Sequence, residues 1–437
     1  MSVSAVSSSL HASFHWLRRR LRKLIQVTHR WAALALGLIL LVIVVSGTIL
    51  LFKPDIEKAI EPSAYKHTGP ITTQAMIEAP AQAEKQVKNF AAVDDWSHDG
   101  IITVTGTVDE KSREVNVDPG TGHVLAVSDP NGGFFGFLDN LHECALSCED
   151  YPAYIPFLNK SAAVLGNEDL TVGGLILGLT GLLLLMLSLG GLYLWWPGVR
   201  RFSRGFKVRR KSSYSINYDL HKLVGLIAIP FLLMWAITGA GFELKQVEDA
   251  WFAVLPGSPS PEAPEFKSKP PKGVKESTVT PQQAVDAALA EAPGARLASL
   301  NVPDASDKTS SYSFWLSDGW DPYEYGNYPG DVGVNVDRYD AKHALVNYGY
   351  PNGGESIATE AWDNSYPVHS GLLVNGWWRS VWLLFGLVPI LLAFTGTWTW
   401  ISRKRKARAK KRFKREGYRA AGAPAGKEAN DAGAPAG

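Results

Sequence analysis

The stretch HRWAALALGLILLVIVVSGTILLF, residues 29 to 52, decides the fold of this chain. From Trp31 to Phe52 it carries no charge and is long enough to cross a hydrocarbon layer of about 30 Å, which needs roughly 20 helical residues. Three further stretches have the same character, and they run from Val172 to Trp196, Leu223 to Phe242 and Val381 to Ile401. The sequence therefore predicts an α-helical membrane protein with a bundle of four transmembrane helices.

Basic residues flank these stretches on one side only. They cluster before the first span, between the second and third, and after the fourth, within residues 18–30, 200–211 and 403–415. By the positive-inside rule these segments and both termini are cytoplasmic, and the long segments after spans one and three lie outside. The flanks favour a bacterial inner (plasma) membrane. Membrane lipid is the expected surrounding partner, and no nucleic-acid partner is expected.

The membrane spans repeat as one unit present twice. In the first and third spans a histidine lies 18 positions before a glycine, as His29 before Gly47 and His221 before Gly239. The second and fourth spans are each preceded by a histidine and carry a glycine near the far end: His142 with Gly191, and His369 with Gly396. The last two spacings differ, which predicts an insertion in the first half, between Glu143 and Asp169.

The two external segments also repeat. Val115 to Asp118 and Val334 to Asp337 both show alternating Val followed by a turn, the pattern of a strand leading into a hairpin. An amphipathic helix is predicted before each, near Thr73 to Phe90 and near Pro281 to Ala292. Each external segment is therefore predicted to be a small α+β domain.

These patterns give a complete order of segments. The predicted order is a basic cytoplasmic N-terminus (1–28), a first span (29–53), a first external domain (54–170), a second span (171–197), a cytoplasmic loop (198–216), a third span (217–244), a second external domain (245–375), a fourth span (376–402) and a basic, then disordered, tail (403–437).

Cys144 and Cys148 are the two cysteines of the chain, and both lie in the first external segment. No Cys-x-x-Cys-His motif occurs, which excludes covalent attachment of a c-type haem. In an oxidising compartment the pair could form a disulfide. Two unpaired structural thiols are the alternative, and the sequence leaves both open.

The four repeated histidines are the candidate ligands of a cofactor. Antiparallel spans place two of them, His29 and His221, at the cytoplasmic face and the other two, His142 and His369, at the outer face. Two imidazoles on different helices can clamp a haem iron from both sides, since helix bundles build cofactor sites from facing helices. The sequence therefore predicts two haem b groups, with the iron pairs His29/His221 and His142/His369.

Four glycines and two arginines complete the predicted site. Along a helix 18 positions span about 27 Å, so Gly47 and Gly239 reach the depth of the outer pair, and Gly191 and Gly396 face the cytoplasmic pair. Bare backbone would let a macrocycle lie close, while close packing of helices by small residues is the alternative. Arg30 and Arg379 are the candidate partners of haem propionates.

The aromatic residues have plainer interpretations. Tryptophans cluster at span ends and are interfacial anchors: Trp31, Trp195, Trp196, Trp377, Trp378, Trp398 and Trp400. An external aromatic patch is predicted either to dock a large ligand or to pack on the membrane domain: Trp315, Trp320, Tyr323, Tyr325 and Tyr328. No dinucleotide fingerprint or P-loop occurs. The electron donor is therefore expected to be a separate cytoplasmic partner or a membrane quinol.

The motifs His-Arg-Trp at residue 29, Leu-His at 141, Leu-His-Lys-Leu-x-Gly at 220 and Val-His-Ser-Gly at 368, with Val-x-Val-Asp repeats outside, resemble the PepSY-associated transmembrane family. The resemblance covers residues 20 to 405 and implies PepSY-like external domains. Characterised members include bacterial inner-membrane siderophore reductases, which hold haem in a four-helix domain and reduce ferric siderophores at the periplasmic face. The resemblance places the four histidines on the histidine positions of that family. The Cys-bearing stretch departs from the family's short link.

Two functional hypotheses follow from the sequence. The first is a haem-dependent ferric reductase that passes electrons across the membrane to a periplasmic acceptor, a ferric siderophore on the resemblance. The alternative is a non-redox membrane scaffold or sensor whose external domains bind peptide or regulate a protease. A third, reduction of another periplasmic acceptor through the same haems, also remains open.

Overall fold

The computed structural model describes residues 3–96, 100–109, 111–163, 166–167, 169–260, 265–274, 276–318, 330–348, 356–372 and 378–421. The tail from residue 422, predicted to be disordered, lies outside this range.

Helices and strands are arranged as two similar halves. The helices are α1 (Val3–Leu50), α2 (Lys53–Ile60), α3 (Thr73–Ala83), α4 (Gly133–Glu143), α5 (Val172–Trp195), α6 (Ser213–Ile227), α7 (Ile229–Gly241), α8 (Lys245–Val254), α9 (Pro281–Glu291), α10 (Ile357–Asp363), α11 (Ser365–Ser370), α12 (Arg379–Gly386) and α13 (Val388–Ala421). The strands are β1 (Lys88–Trp96), β2 (Ile101–Val108), β3 (Lys111–Val117), β4 (Val124–Ser128), β5 (Arg296–Asn301), β6 (Tyr312–Ser317), β7 (Val332–Val336) and β8 (Ala344–Tyr348). Short 3₁₀ helices cover Pro62–Tyr65 and Val199–Phe206.

Within the described residues, three helical segments are long and apolar enough to cross a membrane: Trp16–Leu50, Val172–Trp195 and Arg379–Phe413. A fourth span is present if the bent pair α6 and α7 is counted as one. Helix α1 starts well before the predicted boundary at residue 29, because the basic stretch before it contains no Gly or Pro and is rich in helix-forming Arg, Lys and Leu. The chain is thus a membrane protein with several candidate spans.

The third predicted span, from Leu223 to Phe242, is bent in the structure. Helices α6 and α7 meet at Ala228 with a bend of 63°. Pro230 explains the break, because proline has no N–H to donate and its ring clashes with the carbonyl of residue 226 one turn earlier. Ala228 is fully buried at the bend, where it packs with Leu184 and Leu232 in the core of the bundle.

Both predicted α+β units are present, and they join into one sheet. The strand order is β4-β3-β2-β1-β5-β6-β7-β8, with every neighbouring pair antiparallel. The joint lies between the first strands of the two units, where Val93 pairs with Leu300 and Asp94 with Ser299. Helices α3 and α9 share one apolar core with this sheet. The sequence did not predict the joint, although pairing removes two exposed edges that would otherwise invite association.

One helix boundary differs from the sequence prediction, and the structure settles the state of the two cysteines. The helix predicted near Thr73 to Phe90 ends at Ala83, because a turn at residues 84–87 leads directly into β1. The insertion after His142 is a loop that contains a Cys144–Cys148 disulfide. The disulfide alternative for the two cysteines is therefore the one found in the structure.

Each half of the sheet contains a buried aspartate that accepts hydrogen bonds from a neighbouring chain segment. Asp118, which ends the first Val-x-Val-Asp repeat, accepts hydrogen bonds from Thr68 N at 2.8 Å, Thr68 Oγ1 at 2.7 Å, Thr121 Oγ1 at 2.6 Å and Gly120 N at 3.2 Å. Asp337 does the same in the second repeat, with Lys269 N at 3.0 Å and Tyr339 N at 2.8 Å. Both carboxylates tie an approaching chain segment to a hairpin.

The pKa of Asp118 is the balance of two opposed effects. Burial alone would raise the pKa, but the hydrogen bonds from Thr121, Thr68 and Gly120 favour the charged form and hold the pKa well below its usual range. A carboxylate with a depressed folded-state pKa stabilises the fold at a pH above its unfolded pKa of about 3.9. That stability is lost as the pH falls through the folded-state value.

We therefore expect Asp118→Asn to lower the free energy of unfolding at pH 7 by about 2 kcal/mol, since it removes charge-assisted hydrogen bonds. The difference from the wild type should shrink as the pH is lowered below about 4. Thermal unfolding in detergent between pH 3 and pH 7 measures both effects. Asp109→Asn, at an exposed site in the same domain, is the control and should match the wild type; an equal loss in both variants would contradict the role of Asp118.

Candidate cofactor site

The structure brings the four candidate histidines together in two facing pairs. His29 on α1 and His221 on α6 have ring centroids 6.4 Å apart. His142 on α4 and His369 on α11 have centroids 6.2 Å apart. We call the second the outer pair, since it lies toward the sheet, and the first the inner pair.

The outer histidines precede the second and fourth spans, as the sequence predicts. They lie on two short helices, α4 and α11, which pack against α1 and α7. Each half of the chain contributes one histidine to each pair, so both pairs are made between the halves.

Each predicted glycine lies against one histidine ring. A Cβ built on Gly47 would overlap the ring of His142, and it would lie 2.7 Å from Nε2. Contacts of the same kind relate Gly239 to His369, Gly396 to His221 and Gly191 to His29, at 3.4, 3.2 and 3.5 Å from Cε1. The alternative of plain helix packing describes other glycines, such as Gly181, whose Cβ would meet the backbone of Ala240. Gly47, and to a smaller extent Gly396, make room for an imidazole, whereas a Cβ on Gly239 or Gly191 would make an ordinary van der Waals contact.

Backbone carbonyls orient two of the rings. His142 Nδ1 lies 2.8 Å from the carbonyl oxygen of Ile43, and His221 Nδ1 lies 3.1 Å from that of Leu392. Ile43 and Leu392 stand four residues before Gly47 and Gly396. A carbonyl can only accept, so in these rings Nδ1 carries the proton and Nε2 keeps its lone pair. Neutral imidazole with a free Nε2 is the form that binds a metal ion.

Hydroxyl groups support the same tautomer at three sites. Ser46 Oγ lies 3.3 Å from His142 Nδ1, Thr395 Oγ1 lies 3.1 Å from His221 Nδ1, and Thr238 Oγ1 lies 2.7 Å from His369 Nδ1. Each hydroxyl donates its own hydrogen to a backbone carbonyl of its helix at 2.8 Å. Its oxygen is therefore left to accept the Nδ1 hydrogen of the histidine.

Sequence reasoning missed these hydroxyl residues. Each directly precedes a predicted glycine, in the dipeptides Ser46-Gly47, Thr238-Gly239 and Thr395-Gly396. A hydroxyl residue before the repeated glycine was thus the signal that could have identified them. At the fourth site the preceding residue is Gly190, and His29 Nδ1 is buried without a hydrogen-bond partner.

The spacing of the rings fits a metal ion between them. With metal–imidazole bonds of about 2.0 Å, two rings on opposite sides of one ion have centroids roughly 6 Å apart. No group of three or more His, Cys, Asp or Glu that could hold a metal ion occurs among the described residues. Two imidazoles alone leave most of a coordination sphere to be filled, and a macrocycle such as haem would bring those ligands with it. The residues present therefore fit the predicted group.

Buried polar atoms without a hydrogen-bond partner indicate that a further ligand binds near the inner pair. In the described part of the chain, four buried side-chain atoms have no hydrogen-bond partner: His29 Nδ1, Arg30 Nε, Ser188 Oγ and Thr399 Oγ1. Arg30 follows His29, while Ser188 and Thr399 lie one helical turn from Gly191 and Gly396. Buried polar groups are normally satisfied, and a cofactor with polar substituents would satisfy groups at this end of the bundle.

The outer pair borders a large cavity. It has a volume of about 1150 Å³ and extends from His142 and His369 to the face of the sheet at Thr103 and Asn116. Arg379, the predicted propionate partner, lines the cavity and pairs with Asp55 at 3.1 Å. The role of Arg379 and of Arg30 as propionate partners stays a prediction.

The predicted tryptophan anchors are mostly exposed, some within a helix and some at its end. Trp31, Trp196 and Trp378 expose 50%, 44% and 44% of their surface, as expected for side chains that meet the membrane interface. Trp195 differs, since it is buried against Phe202 and Phe206 of the loop that follows α5. Five predicted aromatic residues lie outside the described part of the chain: Trp320, Tyr323, Tyr325, Tyr328 and Trp377.

Apolar helices of membrane-spanning length, a sheet domain outside them and two facing histidine pairs define a duplicated multi-pass membrane protein. The chain belongs to the family described as PepSY-associated TM region, whose family model matches residues 26–403. This match confirms the family resemblance seen in the sequence. No curated protein gives a significant match to the chain.

The glycine contacts predict that an added methyl group lowers the free energy of unfolding where it would meet a histidine ring. Gly47→Ala should displace the His142 ring and lower the free energy of unfolding by about 1–3 kcal/mol, the usual effect of overpacking. Gly37→Ala is the matched control on the same helix, because a Cβ there meets nothing within 4 Å. Thermal unfolding in detergent compares the two. Equal stability of both variants would show that His142 does not lie against Gly47.

Proposed function

We propose that this protein binds two haem b groups, one at each histidine pair, and conducts electrons across a bacterial inner membrane to an acceptor on the outer side. The observation that carries the proposal is the repeated arrangement of the imidazoles. At three of the four sites, contacts to Nδ1 leave Nε2 free, and the ring centroids of each pair lie 6.2–6.4 Å apart on different helices. A packing role alone would not require the same tautomer at three sites.

The separation of the pairs supports transfer across a bilayer. His29 and the residue that contacts His142, Gly47, are 18 positions apart on α1, which is about 27 Å along a helix axis. This approaches the thickness of a hydrocarbon core, about 30 Å. The basic segments lie beside the inner pair, so we propose that the inner pair and both termini are cytoplasmic.

The chemistry would be electron transfer. The four histidines would hold the two haems, and each haem would supply exchange of single electrons when bound. The chain orients three of the imidazoles through Nδ1. The apolar core around Leu40, Leu184 and Leu232 keeps water out of the span between the pairs. Arg30 and Arg379 are the proposed partners of the propionates.

The acceptor would dock on the outer side. The cavity beside His142 and His369 opens between the helices and the sheet, and it is lined by both charged and apolar residues. On the family resemblance the acceptor is a ferric siderophore, which would be reduced so that weakly held Fe(II) is released. The donor is a cytoplasmic protein or a membrane quinol. The alternative function, a non-redox scaffold or sensor, predicts that all four histidines are dispensable.

Haem content tests the proposal directly. Purified wild-type protein should show a reduced b-type absorption spectrum with two haems per chain. His221→Ala and His369→Ala should each leave one haem. His123→Ala, at an exposed histidine of the sheet domain, should keep both. A colourless wild-type protein from haem-replete cells would exclude the proposal.

The pairing is tested by double variants. His29→Ala combined with His221→Ala should lose one haem, as each single variant does, because both residues serve the same site. His29→Ala combined with His369→Ala should lose both haems. If the second combination instead retains one haem, the pairing is wrong. Vesicles with a reductant inside and ferric citrate outside should form Fe(II) with the wild type and with neither His221→Ala nor His369→Ala.

A further inference from the structure

The four histidine sites differ at one position. In three of them the residue before the contact glycine is Ser or Thr, and its hydroxyl oxygen lies 2.7–3.3 Å from Nδ1 of the histidine. In the fourth that residue is Gly190, so no hydroxyl is available to His29. The carbonyl of Leu187, four residues before Gly191, is the backbone group that His29 approaches, but the contact does not form a geometrically complete hydrogen bond to His29 Nδ1.

The space at Gly190 does not require a glycine. A Cβ built there would lie 3.5 Å from Ile25 Cγ2 and 3.7 Å from His29 Nδ1, which are ordinary van der Waals contacts. A serine would fit, and its Oγ would come within hydrogen-bond distance of His29 Nδ1. Steric need therefore does not explain the departure from the pattern of the other three sites.

The missing hydroxyl has a chemical consequence for a metal ligand. When Nδ1–H donates to an acceptor, electron density at Nε2 rises and the imidazole becomes a stronger ligand. A stronger ligand stabilises the more positive, oxidised metal ion. His29 lacks this support, whereas both outer histidines, His142 and His369, have it.

We propose that Gly190 is a positioning residue that raises the reduction potential of the inner site above that of the outer site, by leaving His29 without the hydroxyl acceptor that the other three histidines have for the Nδ1 hydrogen. The proposal rests on the proposed function, because it needs a redox-active metal at both pairs. An electron entering from the inner side is then held at the inner pair until an acceptor at the outer cavity withdraws it.

An equilibrium redox titration of the purified protein, followed by absorption, tests the proposal. The wild type should show two potentials, and His221→Ala should lose the higher one. Gly190→Ser should lower the higher potential and leave the other in place. Gly190→Ala adds the Cβ without the hydroxyl and should leave both potentials unchanged.

A second variant covers the case in which Gly190→Ser fails to fold. Thr238→Val removes the hydroxyl from His369 at nearly constant volume and should raise the lower potential. The proposal is overturned if folded Gly190→Ser leaves both potentials unchanged, or if the higher potential disappears in His369→Ala. Where Gly190→Ser does not fold, unchanged potentials in Thr238→Val overturn it. Failure of the proposed function would look different, since the wild type would then contain no haem to titrate.

Discussion

The contact between a histidine ring and the bare backbone of a neighbouring helix is the constraint on which this structure depends. Gly47 shows it most clearly, because even one added carbon would overlap His142. The close approach puts Nδ1 within reach of the carbonyl one turn earlier, that of Ile43. The glycine therefore fixes the position of the ring, and the carbonyl fixes its proton. Together they leave Nε2 of His142 free to serve as a ligand.

Duplication explains why the sites come in pairs. His29 and His142 belong to the first half, and each faces a histidine of the second. The sheet follows the same rule, since its two units meet at the β1–β5 joint. Neither half could complete a histidine pair or cover its sheet edge alone. The two halves therefore fold as one unit, with the inter-half contacts in the bundle and in the sheet reinforcing each other.

Polar anchors set the position of the sheet above the helices. Asp118 and Asp337 bind backbone groups of the segments that lead into each unit, and both are buried. Lys53 and Arg379 add ion pairs at the rim of the cavity. Exposed ion pairs contribute little to stability, and Asp55 is half exposed, but the Lys53–Asp139 pair is mostly shielded and links the short helix α2 to α4, which carries His142. The cavity is thus bounded by the sheet on one side and by the helices on the other.

The sequence by itself determined the apolar spans, the repeat, the two α+β units, and the residues that form each histidine pair, because these depend on composition and on spacing along one helix or strand. Only the tertiary structure decided the bend at Pro230, the β1–β5 joint, the disulfide and the hydroxyl contacts at Ser46, Thr238 and Thr395. A proline in a span can be tolerated or can break the helix, and neighbouring helices decide which occurs. Strand pairing between distant segments and side-chain contacts between helices depend on how elements meet, which spacing along the chain does not encode.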